Sequence, residues 1–154
     1  MNLTFRKATK EDVFLIVQML ADDDLGKSRE NFQDPLPEVY YQAFASIDQD
    51  SNQELIIVEN ENVEIIGTLQ LTSIPYLTYQ GGIRAQIEAV RIRRDYRGQG
   101  IGHLFFEWAI ERSKERGAHL LQLTTDKKRP DAIRFYENLG FQATHEGMKI
   151  HFNQ

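Results

Sequence analysis

Residues 97–102 read Arg-Gly-Gln-Gly-Ile-Gly, and an apolar helical pattern follows at once through Leu104, Phe105 and Trp108. A turn of this kind presents unpaired N–H groups at the start of a helix, where the helix dipole adds partial positive charge. Glycines at 98, 100 and 102 remove side chains that would hold an anion away, and they tolerate positive φ. Arg97 adds a fixed charge. The amides of Gln99–Gly102 therefore read as a diphosphate seat. The plainer alternative is a tight strand-to-helix turn with no ligand. Two common nucleotide motifs fail at this place. A dinucleotide fingerprint needs its third glycine at His103, and an ATPase-type phosphate loop needs glycine at His103 and lysine at Leu104.

Other reactive side chains narrow the chemistry further. The chain has no cysteine, which excludes a disulfide framework, a thiolate metal site and a cysteine nucleophile together. His103, His119, His145 and His151 are dispersed without metal-ligand spacing, so no metal is expected. Glu88 sits inside an apolar strand pattern, where a carboxylate is either solvent-facing or functional. The net charge of −5 argues against general nucleic-acid binding. Within that acidic background, RIRRDYR (91–97) carries four arginines against one aspartate, which suits a discrete anionic ligand. No apolar run approaches the roughly 20 residues of a membrane span. The N-terminal MNLTFRKATKEDV lacks an apolar signal core, so a cytoplasmic protein is expected.

These residues need elements to position them, and 154 residues suit one domain over 1–154 with a substantial core. Leu3–Lys7 reads as a first strand. Thr9 and Asp12 resemble a capping box before a helix over Lys10–Leu20. The segment 21–37 reads as a polar loop, its Asp22, Asp23 and Asp24 either solvated or steering a cationic amine. A helix over Glu38–Ile47 follows, then strands Glu54–Glu59 and Glu64–Thr72 around a hairpin turn, and a strand Ile83–Ile92. The glycine turn opens a helix over Gly100–Arg116, stopped by Gly117. His119–Thr124 is a strand, Pro130 starts a helix running to Asn138, and Phe141–Phe152 supplies one or two last strands. Interleaved helices and hairpins give an α/β (α+β) fold with a mixed sheet.

The segment Arg97–Gly102 resembles the (Arg/Gln)-x-x-Gly-x-(Gly/Ala) signature of the GNAT superfamily of acetyl-CoA-dependent N-acetyltransferases. AIRFYENLGF (132–141) resembles that family's second signature, Ala-x-x-x-Tyr-x-x-x-Gly-Phe, and FRKATKEDV resembles its first strand and helix. The resemblance implies a mixed sheet of about six or seven strands, flanked by about four helices, with two parallel strands splayed apart. It implies acetyl-CoA as co-substrate, no metal, and direct attack by a primary amine in a ternary complex. It assigns the backbone of Val90 and Ile92 to the pantetheine arm and thioester. It assigns Arg97, Gly98, Gln99, Gly100, Ile101 and Gly102 to the diphosphate, with Asp126, Arg129 and Ala132 beside the cofactor. Asp126 departs from a frequent asparagine and would repel phosphate, though Lys127, Lys128 and Arg129 could offset it.

Under the same resemblance, Tyr136 matches the tyrosine that protonates the coenzyme A sulfur, with an aromatic core residue as the alternative. Glu88 lies near the acetyl carbon and is the base candidate, unless water carries the proton. Arg94 joins Arg97 as a phosphate ligand, while Arg91 and Arg93 read as surface charges within reach of a 3′-phosphate. Tyr76, Leu77 and Tyr79 are expected to line the acceptor pocket. The segment 123–149 resembles small-amine acetyltransferases, including those acting on aminoalkylphosphonates, for which Arg129 or Lys127 would bind the phosphonate. The expected partners are acetyl-CoA and a small amine, with no nucleic acid and no membrane; a homodimer is compatible with the exposed edges of a small mixed sheet. The alternative function is a non-catalytic acyl-CoA-binding or interaction domain on the same fold.

Overall fold

The computed structural model describes residues 1–129 and 131–152. Five strands lie in chain order across one sheet: β1 (Thr4–Lys7), β2 (Gln53–Glu59), β3 (Ile65–Pro75), β4 (Ile83–Ile92) and β5 (Leu120–Gln122). The first four pair antiparallel, and β4 pairs β5 in parallel. Helices α1 (Val13–Ala21), α2 (Gly26–Arg29) and α3 (Glu38–Gln49) precede β2. A short left-handed turn, α4 (Thr78–Gly81), joins β3 to β4, with φ of 57° at Tyr79 and 61° at Gln80. Helix α5 (Ile101–Glu115) connects the parallel pair, and α6 (Ala132–Asn138) follows β5. The expected start of α6 at Pro130 falls outside the described residues.

Strand β2 explains the layering. Ile56, Ile57 and Val58 are all buried, so both faces of this strand are covered and alternation is lost. Ile56 and Val58 face α5 with Phe105, Phe106 and Ala109, while Ile57 packs with Ile16 of α1 and Phe44 of α3. The 3.6-residue period of α5 puts Ile101, Phe105 and Ala109 on one buried stripe. Phe5 of β1 stacks on Trp108 at 5.6 Å and closes that layer.

Among the described residues the sheet has five strands rather than six or seven, because Phe141–Phe152 forms no ladder. Met148, Ile150 and Phe152 are 94%, 81% and 88% exposed. The reason is local. Strand β5 keeps a regular ladder for only three residues, a short edge on which to template another strand, and the polar run 142–147 separates Phe141 from the apolar positions beyond it.

Candidate functional site

The glycine segment forms a cavity at the start of α5. Ile92, Tyr96, Arg97, Gly98, Gly100 and Gly102 are among the walls of a space of about 240 Å³, with Phe135 of α6 opposite. Gly98 and Gly100 have φ of 77° and 83°, so both require the left-handed region. A Cβ at either would meet nothing within 4 Å, which leaves the backbone open to a ligand. Gly102 differs: a Cβ there would touch Phe135 at an ordinary 3.8 Å. Ile101 is buried and pins the helix start to the core, so the first-turn N–H groups, which have no intrahelical acceptor, are held in place.

The two arginines expected at the phosphate are both engaged. Arg97 Nε donates to the Ile92 carbonyl at 2.9 Å, and Nη2 donates to the Asp22 carbonyl at 3.1 Å. Carbonyls hold the guanidinium without cancelling its charge, so Arg97 stays a net cation beside the glycine cavity. Arg94 instead pairs with the Asp22 carboxylate at 2.8 Å. Together they tie the α1–α2 loop to the glycine turn. Asp22 and Asp23 are thus anchors, a correction to the solvated acidic loop expected for 21–37.

Beside this cavity the parallel strands part. Strands β4 and β5 pair only over Arg84–Gln86 and Leu120–Gln122. Beyond them Ala89 has φ of 55°, and the β3–β4 register shifts, so that Gln70 faces Glu88 but Thr68 faces Arg91. This is a bulge, one extra residue that bends its strand and interrupts the ladder. It also resets the faces. Ala85, Ile87, Val90 and Ile92 pack with the α5 core, while Gln86, Glu88 and Arg91 fall on the side of α1. The carbonyls of Val90 and Ile92 accept hydrogen bonds from Arg91 Nη1 and Arg97 Nε, at 2.8 and 2.9 Å.

Glu88 and Tyr136 therefore approach the gap from opposite faces. Glu88 is exposed and accepts from Gln86 Nε2, whose Oε1 accepts from Gln122 Nε2 of β5 at 2.8 Å. That relay of amides spans the two parallel strands and orients the carboxylate. Tyr136 is half-buried on α6, its ring edge-on to Phe106 at 5.4 Å and to Phe135 at 5.4 Å. Burial pushes the phenol above its ordinary value, and the positive charges of Arg129 and Arg91 pull partly against that. The group keeps its proton at neutral pH.

Arg91 is the main departure from expectation among the site residues. It is half-buried, with its Nε out of contact with solvent, rather than a surface charge. Its Nε lies 2.8 Å from Asp23 Oδ2, yet the N–H is not aimed at that oxygen and has no hydrogen-bond acceptor. Arg129 Nη2 reaches the same Asp23 oxygen at 3.4 Å. Asp126 pairs with Arg29 at 3.4 Å and accepts from the Lys128 amide at 2.9 Å. Ala132 is the first residue of α6. Tyr76 and Tyr79 surround His119 at the opposite end of β4 from Val90, some 20 Å away by strand rise, so they are remote from this gap. Gln86 and Gln122 were not singled out from sequence, although the alternation Arg84-Gln86-Glu88 carried the signal.

Among the described residues, no group of three or more His, Asp or Glu side chains is placed to hold a metal, and no helix is long and apolar enough to cross a membrane. Residues 17–141 match the model of the acetyltransferase (GNAT) family. An aminoalkylphosphonate N-acetyltransferase of Salmonella typhimurium is 34% identical over 84 residues, covering 54% of each chain. The matches thus span about half, or less, of the curated relatives' own lengths. A protein of Bacillus halodurans C-125 described as a transcriptional regulator has a crystal structure with a TM-score of 0.94 and 58% identity, covering 98% of this chain and 100% of that one. A predicted acetyltransferase from Clostridium acetobutylicum, solved with acetyl-CoA, shares the fold at a TM-score of 0.73 and 24% identity, covering 97% and 96%. With residues 17–141 matched and the glycine turn and parted parallel strands where the resemblance puts them, the chain belongs to the GNAT family of acetyltransferases.

Proposed function

We propose that the chain transfers the acetyl group of acetyl-CoA to the primary amine of a small molecule, by direct attack in a ternary complex. The observation that carries this reading is the gap between β4 and β5, with Glu88 on one face and Tyr136 on the other. The glycine cavity fits a diphosphate: it has open backbone at Gly98 and Gly100, helix N–H groups, and the uncancelled charge of Arg97. Gln99 and Ile101 belong to the same glycine turn and would offer their backbone to the diphosphate, with Asp126, Arg129 and Ala132 beside the cofactor as the family resemblance implies. Acetyl-CoA, when bound, supplies an acetyl group activated as a thioester.

The chain's own residues then manage two protons. Alkylamines are largely protonated at pH 7, so nitrogen must lose a proton before it can attack. Glu88, oriented by Gln86, accepts that proton on the α1 side. The C–N bond forms as the C–S bond breaks, Tyr136 O–H delivers a proton to the departing sulfur from the α6 side, and the proton still surplus on nitrogen passes to water, from which the phenolate is reprotonated. A phenol with a raised pKa retains its proton until a basic thiolate develops next to it. Backbone N–H groups at the parted strand polarise the acetyl carbonyl.

A second reading, an acyl-CoA-responsive interaction domain without turnover, is favoured by the description of the 58%-identical B. halodurans protein as a transcriptional regulator. Steady-state assay with acetyl-CoA over a panel of amines separates the two. Turnover is expected, and Tyr136→Phe should lower kcat on the order of 100-fold with acetyl-CoA affinity little changed. Tight acetyl-CoA binding with no amine consumed would instead support the second reading.

A further inference from the structure

The side of the sheet that carries Glu88 is polar where α1 and α3 do not cover it. Gln70 Nε2 and Thr72 Oγ1 both donate to Gln53 Oε1, at 2.8 and 2.9 Å, and the Gln122–Gln86–Glu88 relay continues the strip to β5. At one end of this strip three guanidinium groups converge. Arg91 forms the floor at 15% side-chain exposure, with Arg129 at 36% and Arg29 at 52% toward the rim. Asp23 is shared by Arg91 and Arg129, and its other oxygen is occupied by the Leu25 and Gly26 amides at 2.8 and 2.6 Å. One carboxylate, already holding two amides, therefore faces two guanidiniums.

Arg91 is left incomplete by this arrangement. Its Nη1 donates to a carbonyl and its buried Nε has no acceptor. Burial works against its charge, Asp23 supports it, and Arg129 and Arg29 crowd it with like charge, with Glu30 the remaining acid in range. Arg91 thus shares its one close carboxylate with Arg129, while Asp126 is taken up by Arg29, and a half-buried guanidinium with an unfilled donor can accept a further anion.

We propose that Arg91 and Arg129 receive an acidic group on the acceptor, so that the substrate class is a short aminoalkyl acid. This rests on the acetyl-transfer reading. The spacing sets the length. The strand partners of Glu88 and Arg91, Gln70 and Thr68, are two residues apart on one face, which is about 7 Å. A molecule that offers its ammonium to Glu88 and its anion to Arg91 is a short one, with about three or four bonds between the nitrogen and the acid's central atom. Phosphonate, phosphate and carboxylate share the required chemistry.

The test compares kcat/KM for propylamine with 2-aminoethylphosphonate, O-phosphoethanolamine and β-alanine, using the full chain and saturating acetyl-CoA. At least one acid is expected to exceed propylamine on the order of 100-fold, and the best of the three identifies the anion. Arg91→Gln should bring that ratio near one by raising the acid's KM. A purely structural role would lower both amines alike and leave the ratio intact, which would overturn the proposal. Arg129→Gln is the second variant should Arg91→Gln not fold. Calorimetric titration of the preferred acid in the presence of coenzyme A separates the two layers. Binding that depends on Arg91 without turnover removes the transferase reading and keeps the anion site. Turnover indifferent to the acid group removes the anion site and keeps the transferase. Neither binding nor preference for any acid overturns the proposal outright.

Discussion

Two arginine–carboxylate clusters lie at the two ends of α1, and they have opposite stoichiometry. At its start, Arg6 of β1 stands between two carboxylates. It donates to both oxygens of Asp12 at 2.8 and 3.1 Å, to both oxygens of Glu59 at 3.1 and 3.4 Å, and to the Lys7 carbonyl at 3.0 Å. All five guanidinium donors are used. Beyond its end, Asp23 stands between two guanidiniums, and Arg91 makes one hydrogen bond, to a backbone carbonyl. The first cluster is closed and joins β1, β2 and α1. The second is open on its cationic side and borders the gap between β4 and β5. Burial of charge is common to both, so burial alone does not mark a functional site; what sets the second apart is an unfilled donor together with a second guanidinium on the same carboxylate, beside the gap.

The largest expected effect falls on the closed cluster. Arg6→Ala leaves two buried carboxylates, Asp12 and Glu59, without their cation. Breaking a buried pair from one side is costly, and with Arg6 about one-third exposed the loss should be about 2–3 kcal/mol. For a domain of this size that is a fall in Tm on the order of 5–10 °C, read by calorimetry. A change of less than one degree would remove the distinction between the clusters.

A smaller effect appears with pH. Burial alone would raise the Asp12 carboxyl, but hydrogen bonds from Arg6 and Thr9, together with the Arg6 charge, outweigh it and hold the group below its ordinary value. The folded value lies under the unfolded value of about 3.9. The stabilisation is therefore complete above roughly pH 5 and is lost as pH falls through 3.9 toward the folded value. The gap in unfolding free energy between the native chain and Arg6→Ala should then narrow between pH 6 and pH 3. Urea titrations at three pH values check it, and parallel curves would show that Arg6 acts by packing alone.

The sequence carried these two clusters very unequally. The glycine turn is contiguous, and its physics is local: Gly98 and Gly100 need positive φ whatever surrounds them. The capping pair Thr9 and Asp12 is local too, and the Thr9 amide does donate to Asp12 at 2.7 Å. Motif and strand pattern single out Tyr136 and Glu88 as candidates, one on α6 and one on β4. Arg91 was misjudged because its burial depends on Asp23, a residue far away in the chain that read as part of a solvated acidic loop. Both errors have one source, since each charge is buried only because the other is. The bulge at Ala89 was equally hidden, and without it the period-two pattern does not put Glu88 and Arg91 on one face. The C-terminal strands failed for the converse reason: Met148, Ile150 and Phe152 alternate correctly, but alternation supplies no partner edge.

The smallest expected effect is the most discriminating. Arg91→Met replaces a desolvated guanidinium with an apolar chain of similar length. Asp23 would keep the Leu25 and Gly26 amides and Arg129, so no bare carboxylate remains. The single hydrogen bond lost is to the Val90 carbonyl, which lies beside the open gap and can turn to water. Removing a poorly compensated buried charge is often neutral or favourable, so stability should move by less than about 1 kcal/mol in either direction, against the larger loss for Arg6→Ala. Chemical denaturation of both variants at pH 7 makes the comparison directly. Were Arg91→Met to cost as much as Arg6→Ala, Arg91 would be a tie between α1 and β4 like its counterpart, and its missing acceptor would have no bearing on ligand binding. A near-zero cost leaves a buried cation that the fold does not need, and a cation that stability does not require has to be explained by what it binds.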